Sequence, residues 1–501
     1  MPGQPAPSDR HAPSDRHAPS DRDGPPAVAT LAELRASGRQ ERTVKQELRD
    51  NLVARLRAGR PLTTGIVGYD DTVLPQLERA LLAGQDLILL GERGQAKTRL
   101  VRLLVGLLDP WLPVVAGCEI GCAPTAPTCS ACRRRAAAEG DELPVVWVDR
   151  DRRFAEKLAT PDTAVADLIG DVDPIKVAEG RTLGDEDTIH WGLVPRHHRG
   201  IVAINELPDL PERIQVALLN VLEERDVQVR GYSLRLPLDL LLVATANPDD
   251  YTNRGRIISP LKDRFGAQVR THYPRSIDDE VAIVLAEAAP PPAGVPTHVP
   301  RVLDEVLART VQLLRESPDV NQRSGVSVRF TIGAHETMVA GAVRRAVRTG
   351  ASLAVPRVVD LRAVLPAALG RVEFDLLDDG GELEVVDQAL RRAVLTVWRR
   401  HLGGEDLRDL VARFDEEDLH VDTGDLVPGV EVLAAFDHRV PGLARWTERL
   451  GEPAPGEGAG WDADADAEVA ASVVEFVLEG LHLGRRLNRD EVADGRQRYG
   501  A

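Results

Sequence analysis

Two short segments contain residue types that bind and cleave phosphates. The first has the sequence GERGQAKT and lies directly after the apolar stretch DLILL and directly before the helical pattern RLVRLLVGLL. A loop that ends on a helix N-terminus points several backbone N–H groups at one place, where the helix dipole also favours negative charge. This context predicts a Walker A phosphate-binding loop made of Gly91, Glu92, Arg93, Gly94, Gln95, Ala96, Lys97 and Thr98.

Within this loop, Lys97 is expected to reach the β- and γ-phosphates of a nucleotide, and Thr98 is expected to ligate Mg²⁺. Glycine is usual at the position before the lysine, and this sequence has Ala96 there. Alanine fits that position if its φ is negative, so we expect only a mild departure from the pattern. The alternative is a glycine-containing turn that happens to precede Lys-Thr.

The second segment is the apolar run IVAI followed by Asn205 and Glu206. A Walker B strand has four apolar residues followed by Asp-Glu; the aspartate holds the Mg²⁺ shell and the glutamate polarises the attacking water. Glu206 fits the role of the base, whereas Asn205 offers an amide oxygen without a charge to bind the ion. We therefore expect weaker Mg²⁺ binding with turnover retained. The alternative is an ordinary buried strand that ends in a polar pair.

Two later segments add candidate residues for the same chemistry. The apolar run LLLVATA is followed by Asn247, which is predicted to position water beside the γ-phosphate together with Thr245 at the strand tip. Arg264, in SPLKDRF, precedes the last predicted strand. An arginine there is typically presented to the nucleotide of a neighbouring subunit, where its planar fork neutralises charge in the transition state. A surface Lys-Asp-Arg cluster is the alternative.

All four cysteines of the chain, Cys118, Cys122, Cys129 and Cys132, lie within one short stretch. They form two close pairs with the spacing of tetrahedral zinc sites, so structural Zn²⁺ is our first interpretation. Reduced thiols without a metal, a redox-sensitive pair and iron–sulfur ligation are the alternatives. A catalytic zinc is not expected, because four thiolates would close its coordination sphere.

The elements that must position these residues alternate between apolar runs and helical patterns. The runs are DLILL at 86–90, VVWV at 145–148, IVAI at 201–204, LLLVATA at 240–246 and AQVRTHY at 267–273. This rhythm predicts an α/β fold with a parallel sheet covered by helices on both faces. The stretch VQVRGYSLRL at 227–236 alternates with period two around Gly231 and predicts a hairpin.

Helical periodicity dominates after the last predicted strand, so a helical second domain is expected there. The predicted organisation is a disordered repeat at 1–29, a helical lead-in at 30–60, an α/β nucleotide-binding domain at 61–275 with a cysteine insert at 117–135, a helical lid domain at 276–402, and a C-terminal helical region at 403–501 with a linker at 451–468. The linker is predicted from its Pro, Gly and Asp content, and a final amphipathic helix is expected after it.

Composition excludes several other classes of protein. The formal net charge is −17 and aromatic residues make up 4% of the chain, which disfavours a DNA motor. No window approaches the roughly 18 apolar residues that span a bilayer, and the first residues lack the apolar core of a secretory signal. We therefore expect a cytoplasmic protein with no membrane span and no DNA partner.

Four motifs in order, GERGQAKT, IVAINE, ATANP and LKDRF, with the hairpin between the second and third, resemble those of the AAA+ ATPases. The hairpin points to the helix-2-insert group, and specifically to the magnesium chelatase I subunit and its MoxR-type relatives. IVGYDD at 66–71 resembles the adenine-side loop of that group, and the segments 167–181 and 192–200 resemble its chelatase insert region. The cysteine segment is similar to one found in chelatase I subunits.

The resemblance implies an ATPase that uses ATP and Mg²⁺ in a self-assembled ring, usually a hexamer, with a von Willebrand A-domain protein as partner. It also implies a sensor-2 arginine, for which Arg329 in GVSVRF is the candidate; a surface arginine is the alternative. Our first hypothesis is a ring that remodels or activates a partner protein. The others are the motor subunit of magnesium chelatase, which drives Mg insertion into protoporphyrin, and an ATP-gated scaffold with little hydrolysis. No GAFTGA loop is present, which disfavours action on an alternative sigma factor.

Overall fold

The computed structural model describes residues 24–178, 186–229, 232–248, 256–322, 324–375, 381–437, 439–454, 456, 460, 462–492 and 495–501. The chain divides into two compact units, one ending at His272 and the other beginning at Tyr273. The first 23 residues of the segment that we predicted to be disordered lie outside the described residues, as do Gly231 and part of the chelatase-like insert.

Strands β1 to β14 span Leu87–Leu90, Trp111–Val115, Val145–Asp149, Phe154–Leu158, Gly170–Val172, Ile189–Trp191, Gly200–Asn205, Asp226–Val229, Tyr232–Pro237, Leu240–Ala246, Ala267–Arg270, Val421–Thr423, Asn488–Glu491 and Gln497–Gly500. Helices α1 to α10, all in the first unit, span Leu31–Ala36, Val44–Arg57, Val73–Leu82, Lys97–Leu103, Ser130–Glu139, Val165–Leu168, Pro174–Ala178, Leu193–Arg196, Glu212–Glu223 and Ser259–Arg264. Helices α11 to α20, in the second unit, span Ile277–Glu287, Arg301–Glu316, Val328–Thr349, Val358–Leu361, Leu365–Ala368, Glu382–Leu402, Arg408–Glu416, Gly429–Ala434, Leu443–Leu450 and Ala463–Leu483.

One parallel five-stranded sheet organises the first unit, in the order β11, β1, β10, β7, β4. Its three central strands are buried along their whole length, as expected for strands covered on both faces. Successive residues alternate between two cores: Leu87 and Leu89 join one, whereas Ile88 and Leu90 join the other. The predicted α/β fold with a parallel sheet is therefore confirmed.

Two strand predictions for this unit need correction. The run VVWV was predicted in the parallel sheet, but β3 pairs antiparallel with β2 in a separate two-stranded ribbon. Val146 is 44% exposed, so apolar content alone did not identify a buried central strand. The fifth strand of the sheet is instead β4, whose sequence FAEKL includes two charged residues because a strand at the edge need not be apolar on both faces. The predicted hairpin is present as the antiparallel pair β8 and β9.

The second unit is mainly helical, and a large apolar core draws on described residues from Val302 to Tyr499. The boundary that we predicted at 402/403 therefore falls inside a single core. The C-terminal region is also not purely helical, because β12, β14 and β13 form a three-stranded antiparallel sheet.

Helix α20 corrects two further predictions in the second unit. The linker predicted at 451–468 ends early, since this helix begins at Ala463, where the Asp462 carboxylate accepts a hydrogen bond from the Ala465 N–H. The helix was expected to be amphipathic, but it is buried from Ala467 to Leu481. This helix is buried on all sides, including Glu468, Glu475 and Glu479, and so it packs inside the core rather than along its surface.

Candidate functional site

The phosphate-binding loop connects β1 to α4, and the Gln95 side chain holds its shape. The Gln95 carboxamide oxygen accepts hydrogen bonds from the Glu92 N–H at 3.0 Å and from the Thr271 hydroxyl at 2.8 Å. Thr271 follows β11, so the loop is tied to the neighbouring strand. A Cβ atom on Gly91 would lie 1.8 Å from the Thr271 hydroxyl oxygen, so only glycine fits at the start of the loop.

Ala96 departs from the expected backbone conformation. Its φ is +54° and its ψ is +17°, in the left-handed region, as is Gly94 with φ +79°. Our expectation of a negative φ at Ala96 was therefore wrong. A left-handed conformation costs a residue with a Cβ about 1–2 kcal/mol. The loop keeps the geometry that glycine usually provides, and Ala96 stores strain there.

The two residues that begin α4 stand where the motif predicts them. Lys97 is 8% exposed, and its ammonium donates to the carbonyl oxygens of Gly91 and, at 2.9 Å, of Glu92. Thr98 is half-buried in the first turn of the helix, and Arg93 is exposed. A lysine ammonium bonded to loop carbonyls can exchange these bonds for bonds to an anionic ligand.

Tyr69, in the segment IVGYDD, braces the loop from the other side. Its hydroxyl oxygen lies 3.0 Å from the Gln95 carbonyl oxygen and 2.8 Å from that of His272. Burial raises the pKa of Tyr69 to about 12. Next to it, the Thr72 hydroxyl lies 2.8 Å from the Nε2 atom of His272. This segment therefore fastens the phosphate loop to the end of β11.

Asn205 ends strand β7 and Glu206 follows it, and a chain of hydrogen bonds holds both residues. The Asn205 amide nitrogen donates to the Glu156 carboxylate at 2.5 Å, and its amide oxygen accepts from the Thr245 hydroxyl at 3.2 Å. Thr245 in turn accepts from the Glu206 N–H at 3.1 Å. Both polar atoms of the Asn205 side chain thus have protein partners.

Glu156, on β4, was not among the residues singled out from the sequence. It also accepts from the guanidinium of Arg102 on α4, at 2.7 Å between Nε and Oε2. The feature of the sequence that could have identified Glu156 is a carboxylate within the strand FAEKL, but that strand was not predicted. Glu206 has φ +54°, again in the left-handed region, which is often found at functional sites.

Sheet topology brings these groups together. Leu90 at the end of β1 pairs with Ala246 of β10, and Ile204 of β7 pairs with Ala244. Because the strands are parallel, the phosphate loop, Glu206 and Asn247 all leave the same edge of the sheet. Asn247 is 7% exposed there. In open parallel sheets, ligands bind outside this carboxyl edge.

Arg264 lies where the strands of the sheet begin, at the edge opposite to the phosphate loop. It ends α10, and β11 begins shortly after it, with Ala267 paired to the first residue of β1. Its guanidinium donates to the Glu223 carboxylate at 2.9 Å. The structure therefore does not bring Arg264 to the phosphate loop of its own chain.

Arg329 belongs to the second unit. It is exposed in the first turn of α13, where its N–H donates to the Ser327 hydroxyl at 3.2 Å and its carbonyl accepts from Arg371 at 3.3 Å. Its predicted place beside the nucleotide stays a prediction.

The four cysteines converge in the loop between β2 and α5. The Sγ atoms of Cys118, Cys122, Cys129 and Cys132 all lie within 4.8 Å of one another, and the last three residues are buried. Hydrogen bonds from Cys118 and Cys129 lower the pKa of the Cys122 thiol.

Comparisons with known proteins find similarity over parts of this chain. A family profile described as the sigma-54 interaction domain matches residues 179–261. The chaperone MoxR1 of Mycobacterium tuberculosis is 27% identical over 140 residues, which are 28% of this chain and 35% of that protein. The chain thus matches about a third of the length of this curated relative.

Two solved structures are similar at lower identity. A model of the complex between the BchI and BchD subunits of magnesium chelatase is 21% identical, covering 67% of this chain and 94% of that one, with a TM-score of 0.33. NtrX from Brucella abortus in complex with ATP is 14% identical, covering 84% of this chain and 72% of that one, with a TM-score of 0.32. The MoxR1 match confirms a resemblance to MoxR-type proteins over the matched segment.

Proposed function

We propose that this chain is an ATP-hydrolysing AAA+ subunit that works in an assembly and remodels or activates a partner protein. The observation that carries the proposal is the convergence of the phosphate loop, Glu206 and Asn247 at the carboxyl edge of one parallel sheet. A phosphate-binding loop and a carboxylate at the same edge of the sheet are the two parts that P-loop hydrolysis requires.

The loop residues bind and orient the phosphates in this proposal. The N–H groups that precede α4 point at the nucleotide, and Lys97 exchanges its loop carbonyl partners for phosphate oxygens. The Thr98 hydroxyl is the proposed Mg²⁺ ligand, and an oxygen donor suits this hard cation. When bound, Mg²⁺ neutralises charge that develops on the transferred phosphoryl group.

Asn205 has a different role from the aspartate usual at its position. Its amide oxygen already accepts from Thr245, and its amide nitrogen donates to Glu156. We assign it as a positioning residue, since this chain of bonds continues through Thr245 to the N–H of Glu206. The Glu206 carboxylate then orients the attacking water and accepts its proton.

The position of Arg264 supports the proposed assembly of several subunits. An arginine at the edge opposite to its own phosphate loop is suited to the nucleotide of another copy, where its fork stabilises transition-state charge. We propose a ring, with six subunits as the usual number for the group that the chain resembles, and a von Willebrand A-domain protein as the partner. Among the described residues, no helix has the length and apolar character needed to cross a membrane.

The first test measures nucleotide binding and Mg²⁺-dependent ATP hydrolysis by the full chain. Lys97→Ala is expected to weaken nucleotide binding about 10- to 100-fold, because it removes charged hydrogen bonds to phosphate. Glu206→Gln is expected to keep binding and to slow hydrolysis at least about 100-fold. Lys176→Ala, which removes a lysine outside the loop, is the matched control and leaves both unchanged. Hydrolysis that survives Glu206→Gln would refute the assigned base, and binding without turnover by the unaltered chain would favour a scaffold.

The second test addresses the shared site. The specific activity is expected to rise with protein concentration, and Arg264→Ala is expected to abolish hydrolysis while nucleotide binding persists. Arg213→Ala, which removes an exposed arginine from the neighbouring helix α9, serves as the control. Mixing Arg264→Ala with Glu206→Gln chains should restore part of the activity, because one interface type in the mixture then has both groups. A concentration-independent activity would contradict action between subunits.

A further inference from the structure

The cysteine loop packs against a part of the chain that the nucleotide chemistry does not use. Cys118 and Cys122 follow β2, and Cys129 and Cys132 begin α5. All four thiols are free of disulfide bonds. They are gathered at one point, although the chain between Cys122 and Cys129 makes a wide loop.

The spacing of the four cysteine sulfur atoms indicates which kind of metal centre they can bind. Four sulfurs at about 2.3 Å from one zinc ion form a tetrahedron with edges of about 3.8 Å. The observed separations, all within 4.8 Å, match a single ion. A cluster of several iron atoms binds its cysteines through different irons, which needs a wider arrangement. A closed set of four thiolates is typical of structural zinc.

Hydrogen bonds to the sulfurs supply the outer layer that such a site needs. The N–H groups of Cys122, Cys129 and Cys132 donate to the Sγ atoms of Cys118, Cys122 and Cys129 at 3.4, 3.3 and 3.3 Å. The Thr128 hydroxyl lies 3.1 Å from the Cys122 sulfur and can donate to its thiolate. Donors of this kind stabilise the negative charge that remains when four thiolates surround one divalent ion.

The cysteine loop also holds a neighbouring hairpin in place. The N–H of Ser130, next to Cys129, lies 3.0 Å from both carboxylate oxygens of Glu186. Glu186 leads into β6, which pairs with β5. Cys129 and Ser130 thus connect the cluster of four cysteines directly to this hairpin.

We propose that Cys118, Cys122, Cys129 and Cys132 bind one structural Zn²⁺, and that the metal anchors the β5–β6 hairpin through Ser130 and Glu186. Zinc binding contributes folding free energy to this loop, in addition to the packing of Cys122, Cys129 and Cys132 in the apolar core. The metal has no role in the chemistry at the phosphate loop. The proposal therefore stands independently of the ATPase function.

The first measurement is the metal content of the full chain, purified without added metal. We expect one zinc per chain and no iron, and replacement by Co²⁺ should produce the intense absorption of a tetrahedral cobalt–thiolate site. Lys97→Ala should keep its zinc, so a failure of the ATPase proposal leaves this result intact. A native chain with no zinc, with stoichiometric iron, or with two disulfides would overturn the proposal.

Cysteine variants test whether these residues are the zinc ligands. Cys118→Ser and Cys132→Ser, one from each pair, are each expected to lose most of the zinc. Glu119→Gln is the matched control, since it changes a partly exposed residue between two of the ligands and should keep one zinc per chain. If the serine variants do not fold, the metal content and Co²⁺ spectrum of the native chain still decide whether zinc is bound. Serine variants that fold and keep full zinc would refute these ligands.

The anchoring role has its own readout. Removing the metal with a chelator is expected to speed hydrogen exchange at the amides of β5 and β6 at least about tenfold, while exchange at β1 and β10 stays unchanged. Glu186→Gln should keep the zinc but speed exchange in the same hairpin. Unchanged exchange in the hairpin after zinc removal would refute the anchoring role.

Discussion

Buried polar side chains at the carboxyl edge of the parallel sheet differ in their partners from a buried ion pair inside the helical unit. In the helical unit, Arg345 and Asp360 form a buried ion pair: both side chains are 1% exposed, and they lie 2.8 Å apart. At the sheet edge, Lys97 instead bonds to carbonyl oxygens, and Asn205 bonds to a hydroxyl and a carboxylate. A hydrogen bond to a neutral carbonyl can be exchanged for a bond to a ligand, whereas removing one partner of a buried ion pair leaves a buried charge behind.

The largest expected effect tests the structural half of this comparison. Asp360→Asn removes one charge from the buried pair and leaves Arg345 uncompensated, which should lower the free energy of unfolding by about 3–5 kcal/mol. The neighbouring Arg344 pairs with Asp425 at the surface, where the two side chains are 46% and 55% exposed. Asp425→Asn is therefore the matched control, with a loss under about 1 kcal/mol. Denaturant unfolding that shows equal losses would break the comparison.

A second change turns the sheet edge into a region of buried charge. Asn205→Asp places a carboxylate where an amide now donates to Glu156 at 2.5 Å, so two like charges meet. We expect a loss of about 1–3 kcal/mol in stability and slower ATP hydrolysis. Adding Glu156→Gln should recover most of both, because the amide of the new glutamine can donate to the aspartate. Thermal unfolding and steady-state hydrolysis measure this, and a sharp rise in turnover for the single variant would favour the scaffold hypothesis.

The pH dependence of stability tests the role of the Tyr69 hydroxyl at the sheet edge. Because burial raises the pKa of Tyr69 to about 12, the hydroxyl stays protonated in the folded state while an exposed tyrosine ionises near pH 10. Its contribution is present below pH 10 and is lost as the pH rises from about 10 to 12. Tyr69→Phe should cost about 1 kcal/mol at neutral pH and reduce this alkaline loss. Urea unfolding at several pH values checks both, and an unchanged pH profile would contradict the assignment.

The smallest effect comes from backbone strain at the sheet edge. Ala96→Gly relieves a left-handed conformation and should stabilise the chain by about 0.5–1 kcal/mol. Ala83→Gly is the control: Ala83 is exposed with φ −76°, so glycine there should destabilise the chain by a similar amount. Opposite signs in thermal unfolding would confirm the strain, and a loss at both positions would contradict it.

Much of the candidate site could be predicted because its motifs are local. The order strand, loop and helix around Lys97 follows from apolar runs and glycine spacing, and the same holds for the strand before Glu206. Glu156 could not be predicted, because it belongs to an edge strand that pairs far along the chain with β7. An edge strand needs apolar residues on one face only, so its apolar signal is weak.

The helical unit shows the opposite balance. Its helices were expected from periodicity, but the position of α20 inside the core and the sheet of β12, β13 and β14 were not. The Pro, Gly and Asp residues before α20 indicated a linker, and Asp462 instead caps the helix. Short strands that pair between residues 421 and 500 leave little local signal.

The sequence by itself determined the loop, the strand that carries Glu206 and the cluster of cysteines, because neighbouring residues decide those features. Only the tertiary structure decided that Asn205 is held between Thr245 and Glu156, that Ala96 adopts a left-handed conformation, and that Arg264 lies at the edge opposite to Lys97. The physical reason is that these properties depend on strand pairing and on backbone closure. Both are fixed by contacts between residues that are distant in the sequence.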